Sequence, residues 1–173
     1  GPIGIGIIHG LKSRGAKVIV MDINEKRLAY ARDTARADYL INSRDADPDK
    51  ALADITGGEL APLVMDATGN APQMMKAFNY ASSGGTIVFV GFSRADIRFA
   101  NPLFHSKEIT LMASRNATKE DFSNVIAGIA SGKVDTTGFV THKAGMEEAI
   151  TQFPSWLKSE TGCIKAVVEI ASR

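Results

Sequence analysis

Cysteine is almost missing from this chain: Cys163 stands alone among 173 residues. One thiol cannot build an internal disulfide framework or a multi-cysteine zinc knot within these residues. A reducing compartment, the cytoplasm, is the default expectation. A charge surplus is missing too. Twenty Lys and Arg stand against 19 Asp and Glu, a net charge of +1, whereas phosphate-backbone binding calls for a clear cationic excess. Nucleic acid is therefore not an expected partner. No apolar run reaches the roughly 18–20 residues that a membrane-spanning helix takes, so no membrane partner is expected. The opening residues show no charged stretch followed by an apolar one, so no secretory leader is expected in them. An initiator Met is also absent, and the chain opens Gly1-Pro2-Ile3-Gly4-Ile5-Gly6. Such a start fits either the scar of a tag-removing protease or native sequence exposed by truncation. What is present is ordinary globular composition, 45% hydrophobic and 23% charged. That suffices for one sizeable core, or one domain plus part of another.

Helix-period and strand-like segments alternate along the chain. Residues 3–14 are expected as a helix closed by Gly15. Residues 16–21 form a β-branched apolar run, a strand ending at Asp22. Asn24 fits a helix N-cap, with Leu28, Ala31 and Ala35 on one face. Residues 38–41 give a second strand, and Asp47-Pro48 opens a helix to about Thr56. Residues 63–67 give a third strand, and 70–82 a helix followed by Gly84-Gly85. Residues 86–90 form a fourth strand. A loop with Pro102 leads to a fifth, 109–113. Thr118, with Asp121 three residues on, caps a helix that stops at Gly132. A strand-like piece near 139–141, a helix near 145–153 and a strand at 164–170 complete the chain. The alternation means βαβ crossovers and a parallel sheet, and strands apolar throughout are expected to carry helices on both faces.

One constellation goes beyond a generic α/β protein. Gly1-x-x-Gly4 at a helix start is the latter part of G-x-G-x-x-G. There a pyrophosphate comes close to the backbone and meets the amides of the first helical turn. Asp22 ends the next strand about twenty residues on, where an acidic residue accepts hydrogen bonds from the adenosine ribose. A carboxylate in that place repels a 2′-phosphate, which favours NAD over NADP. The alternative for Asp22 is a plain helix-capping role.

GPIGIG, then VIVMD-INEKR, DATGN and SGGTIVFVGF, resembles the cofactor domain of zinc-type medium-chain dehydrogenases, a group with alcohol, sorbitol, threonine and sugar-acid members. The resemblance covers essentially the whole chain, and that order of motifs favours native Gly1-Pro2 over a scar. It implies that Gly1, Ile3 and Gly4 lie at the pyrophosphate turn and that Asp22 holds the ribose. Arg27 would lie against the adenine, where a guanidinium plane stacks well; otherwise it is a solvated helix arginine. Thr68 and Gly69 would end a strand at the ligand-binding edge. Val90, Gly91 and Phe92 would meet the nicotinamide end, unless Phe92 is core. Ser114 and Arg115 end the fifth strand. Arg115 would approach a hydroxylated substrate with its donor fork or serve a structural salt bridge. Asn116 stands where sorbitol dehydrogenases often have Tyr.

The three histidines are scattered. His9 is a surface or packing residue, His105 lies in a helical linker and His142 precedes the tail helix, so no zinc ligand is expected among them. Cys163 is expected buried or half-buried. No catalytic residue is expected in the segment apart from Arg115 as a substrate contact.

The resemblance places the catalytic zinc in a preceding domain and the first strand of a 3-2-1-4-5-6 sheet before Gly1. The expected fold is thus α/β, a Rossmann-type parallel sheet lacking its first strand, with a C-terminal tail belonging to the catalytic domain. Residues 1–113 would be the truncated dinucleotide-binding domain and 114–173 the tail. The parent would be a zinc- and NAD-dependent oxidoreductase acting on a small alcohol, polyol or sugar acid, a homodimer or homotetramer. The segment would bind NAD but not zinc, and would be inactive alone. The alternatives are a zinc-free, NADP-using reductase of the quinone-reductase type, or a binding and assembly module.

Overall fold

A computed structural model describes residues 1–170, without the side chain of Ser159. Two compact units emerge from it: one joins Gly1–Asn42 with Asn124–Arg173, the other is Ser43–Ser123.

The first unit opens with helix α1, Pro2–Lys12, whose first position suits a proline because no helical acceptor awaits its missing N–H. Strand β1, Ile19–Asp22, follows. Helix α2, Glu25–Asp33, is capped by the Asn24 side chain, which accepts from Arg27 N. Strand β2, Tyr39–Asn42, lies parallel to β1 in register Ile19↔Tyr39 through Asp22↔Asn42. Leu28, Ala31 and Ala35 are all buried, as the helical period demands. Ile5, Ile8, Val18, Ala31, Ala35, Ala37 and Ile164 form the core.

The second unit starts with helix α3, Pro48–Thr56, where Asp47 accepts from Asp49 N and proline follows the cap. Then come strand β3, Ala61–Asp66, helix α4, Ala71–Tyr80, strand β4, Ala81–Phe89, helix α5, Asn101–Ser106, and strand β5, Thr110–Ala113. The sheet order is β3-β4-β5, all parallel. Phe78 is its central core residue. It stacks on Phe99 with ring centroids 4.5 Å apart and meets Phe89 and Phe104 edge-on.

Helix α6, Lys119–Ala130, begins at a reciprocal cap. Thr118 N donates to Asp121 Oδ2 at 2.8 Å and Asp121 N to Thr118 Oγ1 at 3.2 Å. In the first unit, strand β6, His142–Gly145, then pairs in parallel with strand β7, Ala166–Glu169, across helix α7, Met146–Trp156. This C-terminal stretch packs on α2: Tyr30 Oη donates to the Thr137 carbonyl at 3.1 Å and Lys26 Nζ to the Glu160 carbonyl at 2.8 Å.

The first unit thus carries the parallel pair β1-β2 and the second the parallel sheet β3-β4-β5. Among the described residues, β1 and β3 each pair on one side only.

Several expected boundaries shift. Gly84-Gly85 lie inside β4 instead of before it. Register jumps from Ala61↔Ala81 to Leu63↔Thr86, so residues 82–85 bulge out of the ladder, and Gly84 N is held by the Lys107 carbonyl at 2.7 Å. The stretch around Pro102 is helical because proline at the first turn costs no hydrogen bond. Helix α7 runs three residues past the expected stop at Phe153, carrying Pro154 in its last turn. The strand expected at 139–141 begins at His142 instead. β5 is exposed along its whole length, against the expectation of helices on both faces, and among the described residues pairs with β4 alone.

Candidate cofactor-binding site

The first unit places one group of candidate residues. The earliest helical bond of α1 is Ile5 N to Gly1 O, at 3.1 Å. Pro2 has no N–H, so the amides of Ile3 and Gly4 have no intrahelical acceptor. No acidic side chain occupies that first turn, which leaves the two amides and the positive helix end open to an anion. Asp22 is the last residue of β1, half-buried. Its Oδ1 accepts from Asn24 N at 3.0 Å, an Asx-turn contact ahead of α2, whose cap is Asn24 and not Asp22. Its Oδ2 accepts no hydrogen bond among the described residues, so one oxygen stays available for a ligand hydroxyl. The start of α1 at Gly1 lies within electrostatic reach of both Asp22 and Arg27.

The second unit places the other group, where β3, β4 and β5 end at one sheet edge. Asp66 closes β3 and is buried, only 8% exposed as a residue. Its carboxylate organises the turn after it. Oδ1 accepts from Thr68 N at 3.0 Å and Gly69 N at 3.3 Å, and Thr68 Oγ1 donates to both oxygens at 3.0 Å. The Asp66 carbonyl accepts from Val90 N at 2.9 Å and Gly91 N at 2.8 Å. The Thr68–Gly69 turn and the Val90–Phe92 stretch are thereby pressed together. Gly69 has φ +62°, and a Cβ on it would stand 2.6 Å from the Phe92 carbonyl oxygen. A Cβ on Gly91 would run into Gly69 N and stand 2.9 Å from Gly69 Cα. Both positions need glycine because two backbones touch there. Ser114 is tied to the same edge by its N–H to the Phe89 carbonyl, at 2.9 Å.

Phe92 is 82% exposed, which removes its alternative role as core. Arg115 makes no ion pair among the described residues, so the structural salt bridge offered as its alternative is not formed there. Asp66 carries no expected role in the sequence, although an Asp ending a strand before Ala-Thr-Gly has the makings of an Asx turn. No three His, Cys, Asp or Glu side chains converge on a metal position among the described residues.

Parallel strands alternating with helices, with glycine-dependent turns at strand ends, are the features of a Rossmann-type α/β fold. The comparisons with known proteins go further. Residues 2–131 match the sequence model of the zinc-binding dehydrogenases, and the chain belongs to that family. It is 41% identical over 143 residues to L-galactonate-5-dehydrogenase of Escherichia coli K12, covering 83% of this chain and 42% of the relative. D-xylulose reductase of Saccharomyces cerevisiae is 27% identical over 175 residues, 98% of this chain and 49% of the relative. Among solved structures, a short chain alcohol dehydrogenase from Escherichia coli CFT073 complexed with NADH superposes with a TM-score of 0.85 at 27% identity, over 97% of this chain and 49% of that one. An Escherichia coli oxidoreductase/dehydrogenase of unknown specificity gives 0.92 at 25%, over 99% and 49%. The chain thus spans about half the length of the relatives it matches.

Proposed function

We propose that this chain is the NAD-binding portion of a dehydrogenase acting on a small alcohol, polyol or sugar acid. The observation that carries the reading is Asp22, ending β1 beside the Gly1–Gly4 turn with Oδ2 uncommitted. Adenosine ribose hydroxyls would donate to Asp22, Arg27 would flank the adenine, and the Ile3 and Gly4 amides would face the pyrophosphate. Thr68, Gly69, Val90, Gly91, Phe92 and Ser114 would approach the nicotinamide end, with Arg115 free to meet substrate oxygens. NAD, when bound, supplies the carbon that accepts the hydride. The chain's own part is to orient that ring and exclude NADP, since the Asp22 carboxylate opposes a 2′-phosphate. The sugar-acid and polyol relatives support the substrate class. Tail residues 114–173 would pack on the remainder of a longer enzyme. The exposed apolar side chains Phe122, Ile126, Ile150 and Phe153 on α6 and α7 support that arrangement.

Titration of nucleotide fluorescence tests the cofactor reading. NADH is expected to bind more tightly than NADPH, and Asp22→Asn to narrow the gap. Equal or tighter NADPH binding to the unaltered chain refutes the reading and returns the NADP-using alternative.

A further inference from the structure

One acid in the second unit serves neither a salt bridge nor a helix cap. The ion pairs among the described residues use other carboxylates, those of Asp33, Asp38, Asp54 and Glu169. Helix α4 is capped by Asn70 and not by Asp66. Asp66 is nevertheless buried, where a charged group is costly unless hydrogen bonds satisfy it. Thr68 N, Gly69 N and the Thr68 hydroxyl supply them, all within 3.3 Å.

The same contacts use up the donors of the turn. Thr68 Oγ1 gives its only proton to Asp66 and accepts from Asn70 N at 3.0 Å. The Thr68 and Gly69 amides are committed to Asp66 Oδ1. A ligand at this edge therefore meets the shape of the turn and not its hydrogen-bond donors. That shape is passed on by contact. A Cβ on Gly69 would stand 2.6 Å from the Phe92 carbonyl oxygen, and one on Gly91 would stand 2.9 Å from Gly69 Cα. Backbones packed this closely transmit a displacement instead of absorbing it, so a shift of Gly69 reaches Gly91 and Phe92. The Asp66 carbonyl holds the other side of the contact through Val90 N and Gly91 N. One residue fixes both turns, one with its side chain and the other with its main chain, and substitution removes only the side-chain part.

We propose that Asp66 is a positioning residue for the nicotinamide half of the cofactor. Its carboxylate seats Gly69 against Gly91 and Phe92, and so sets how tightly that half is held without touching it. The inference rests on the NAD-binding reading above. Asp22 and Arg27, assigned there to the adenosine half, belong to the first unit, whereas Asp66 belongs to the second. The two halves of the cofactor are therefore expected to respond separately to a change at Asp66.

Isothermal titration calorimetry on the full 173-residue chain tests this with two ligands. One is NADH. The other is ADP-ribose, which keeps the adenosine and the pyrophosphate but lacks the nicotinamide. Asp66→Ala is expected to weaken NADH by about fivefold or more and ADP-ribose by less than about twofold. Asp66→Asn keeps an oxygen for both amides and is expected to hold NADH within about twofold of the unaltered chain. Partial unfolding lowers the stoichiometry for both ligands alike, so a split between the two affinities reports the turn and not global stability. If Asp66→Ala does not fold, Thr68→Val carries the comparison. It takes the hydroxyl from the carboxylate, leaves both amides in place, and is expected to weaken NADH alone by about two- to threefold. Unchanged NADH affinity in the variant that folds, an equal loss for ADP-ribose, or no rescue by Asp66→Asn overturns the proposal and leaves the NAD-binding reading standing. Failure of both ligands to bind the unaltered chain refutes that reading and this inference with it.

Discussion

Replacing Asp66 tests whether its carboxylate holds the turn beneath Gly69 and Gly91. Asp66→Ala removes the acceptor of Thr68 N at 3.0 Å, Gly69 N at 3.3 Å and the Thr68 hydroxyl. The hydroxyl can rotate, since it already accepts from Asn70 N at 3.0 Å, so two amides are stranded. Hydrogen bonds to a charged acceptor contribute about 1.5–3 kcal/mol each. The Gly69 bond is long and the turn is only part-buried, so the lower figure applies, and the expected loss is about 2–3 kcal/mol. Asp66→Asn separates this from a volume effect. Both amides converge on Oδ1, which an amide oxygen can replace, while its NH₂ group meets Thr68 Oγ1, which can accept. That variant is expected to lose about 1 kcal/mol or less. Urea unfolding measures both, with a midpoint shift at constant slope as the signature. Amide exchange at Thr68 and Gly69 localises the loss. Equal midpoints for the two variants, or unchanged exchange at both amides in Asp66→Ala, would refute the assignment.

Three further outcomes are expected. Gly91→Ala drives a Cβ into the Gly69 backbone; it should destabilise the chain by about 1–3 kcal/mol and weaken NADH binding, as read by urea midpoint and nucleotide titration. Lys107→Met keeps the alkyl stem but removes an ammonium that donates to the carbonyls of Ala81 at 2.8 Å and Asn79 at 3.2 Å, at the end of α4. A loss of about 1 kcal/mol is expected in the same assay. Asp38 is held below the usual carboxylate pKa by the Lys12 ammonium first and by Val18 N next, each at 2.7 Å. Its folded value lies under its unfolded one, so its stabilisation is complete above about pH 4 and fades as pH falls through the folded value. Asp38→Asn should cost about 1 kcal/mol near neutral pH, given its partial exposure, and almost nothing in acid.

Local physics made much of the fold legible. Asn24, Asp47, Asn70 and Thr118 start helices because each offers a side-chain oxygen to an amide two or three residues on. The apolar period of α2 predicts its buried face residue by residue. What the sequence hid is non-local. The bulge in β4 depends on Lys107, more than twenty residues away, supplying the acceptor for Gly84 N. The exposure of β5 depends on what lies beside it, which no period within four residues can encode.

The site divides in the same way. Asp22 and the Gly1–Gly4 turn are visible because strand, spacing and residue type coincide within one βαβ stretch. Gly69 and Gly91 look alike in sequence, as do Gly84 and Gly85, yet only the structure separates their reasons. Gly69 and Gly91 are glycine because two strand ends meet face to face, held by one Asp66 carbonyl and one Asp66 carboxylate. A Cβ on Gly84 would meet nothing within 4 Å, so that position answers to its φ of +69° alone. The residue that builds the contact, Asp66, binds no ligand in any reading above. It shapes both turns from beneath, and the substitution that distinguishes its carbonyl from its carboxylate is the Asp66→Asn and Asp66→Ala pair, because the carbonyl survives in both.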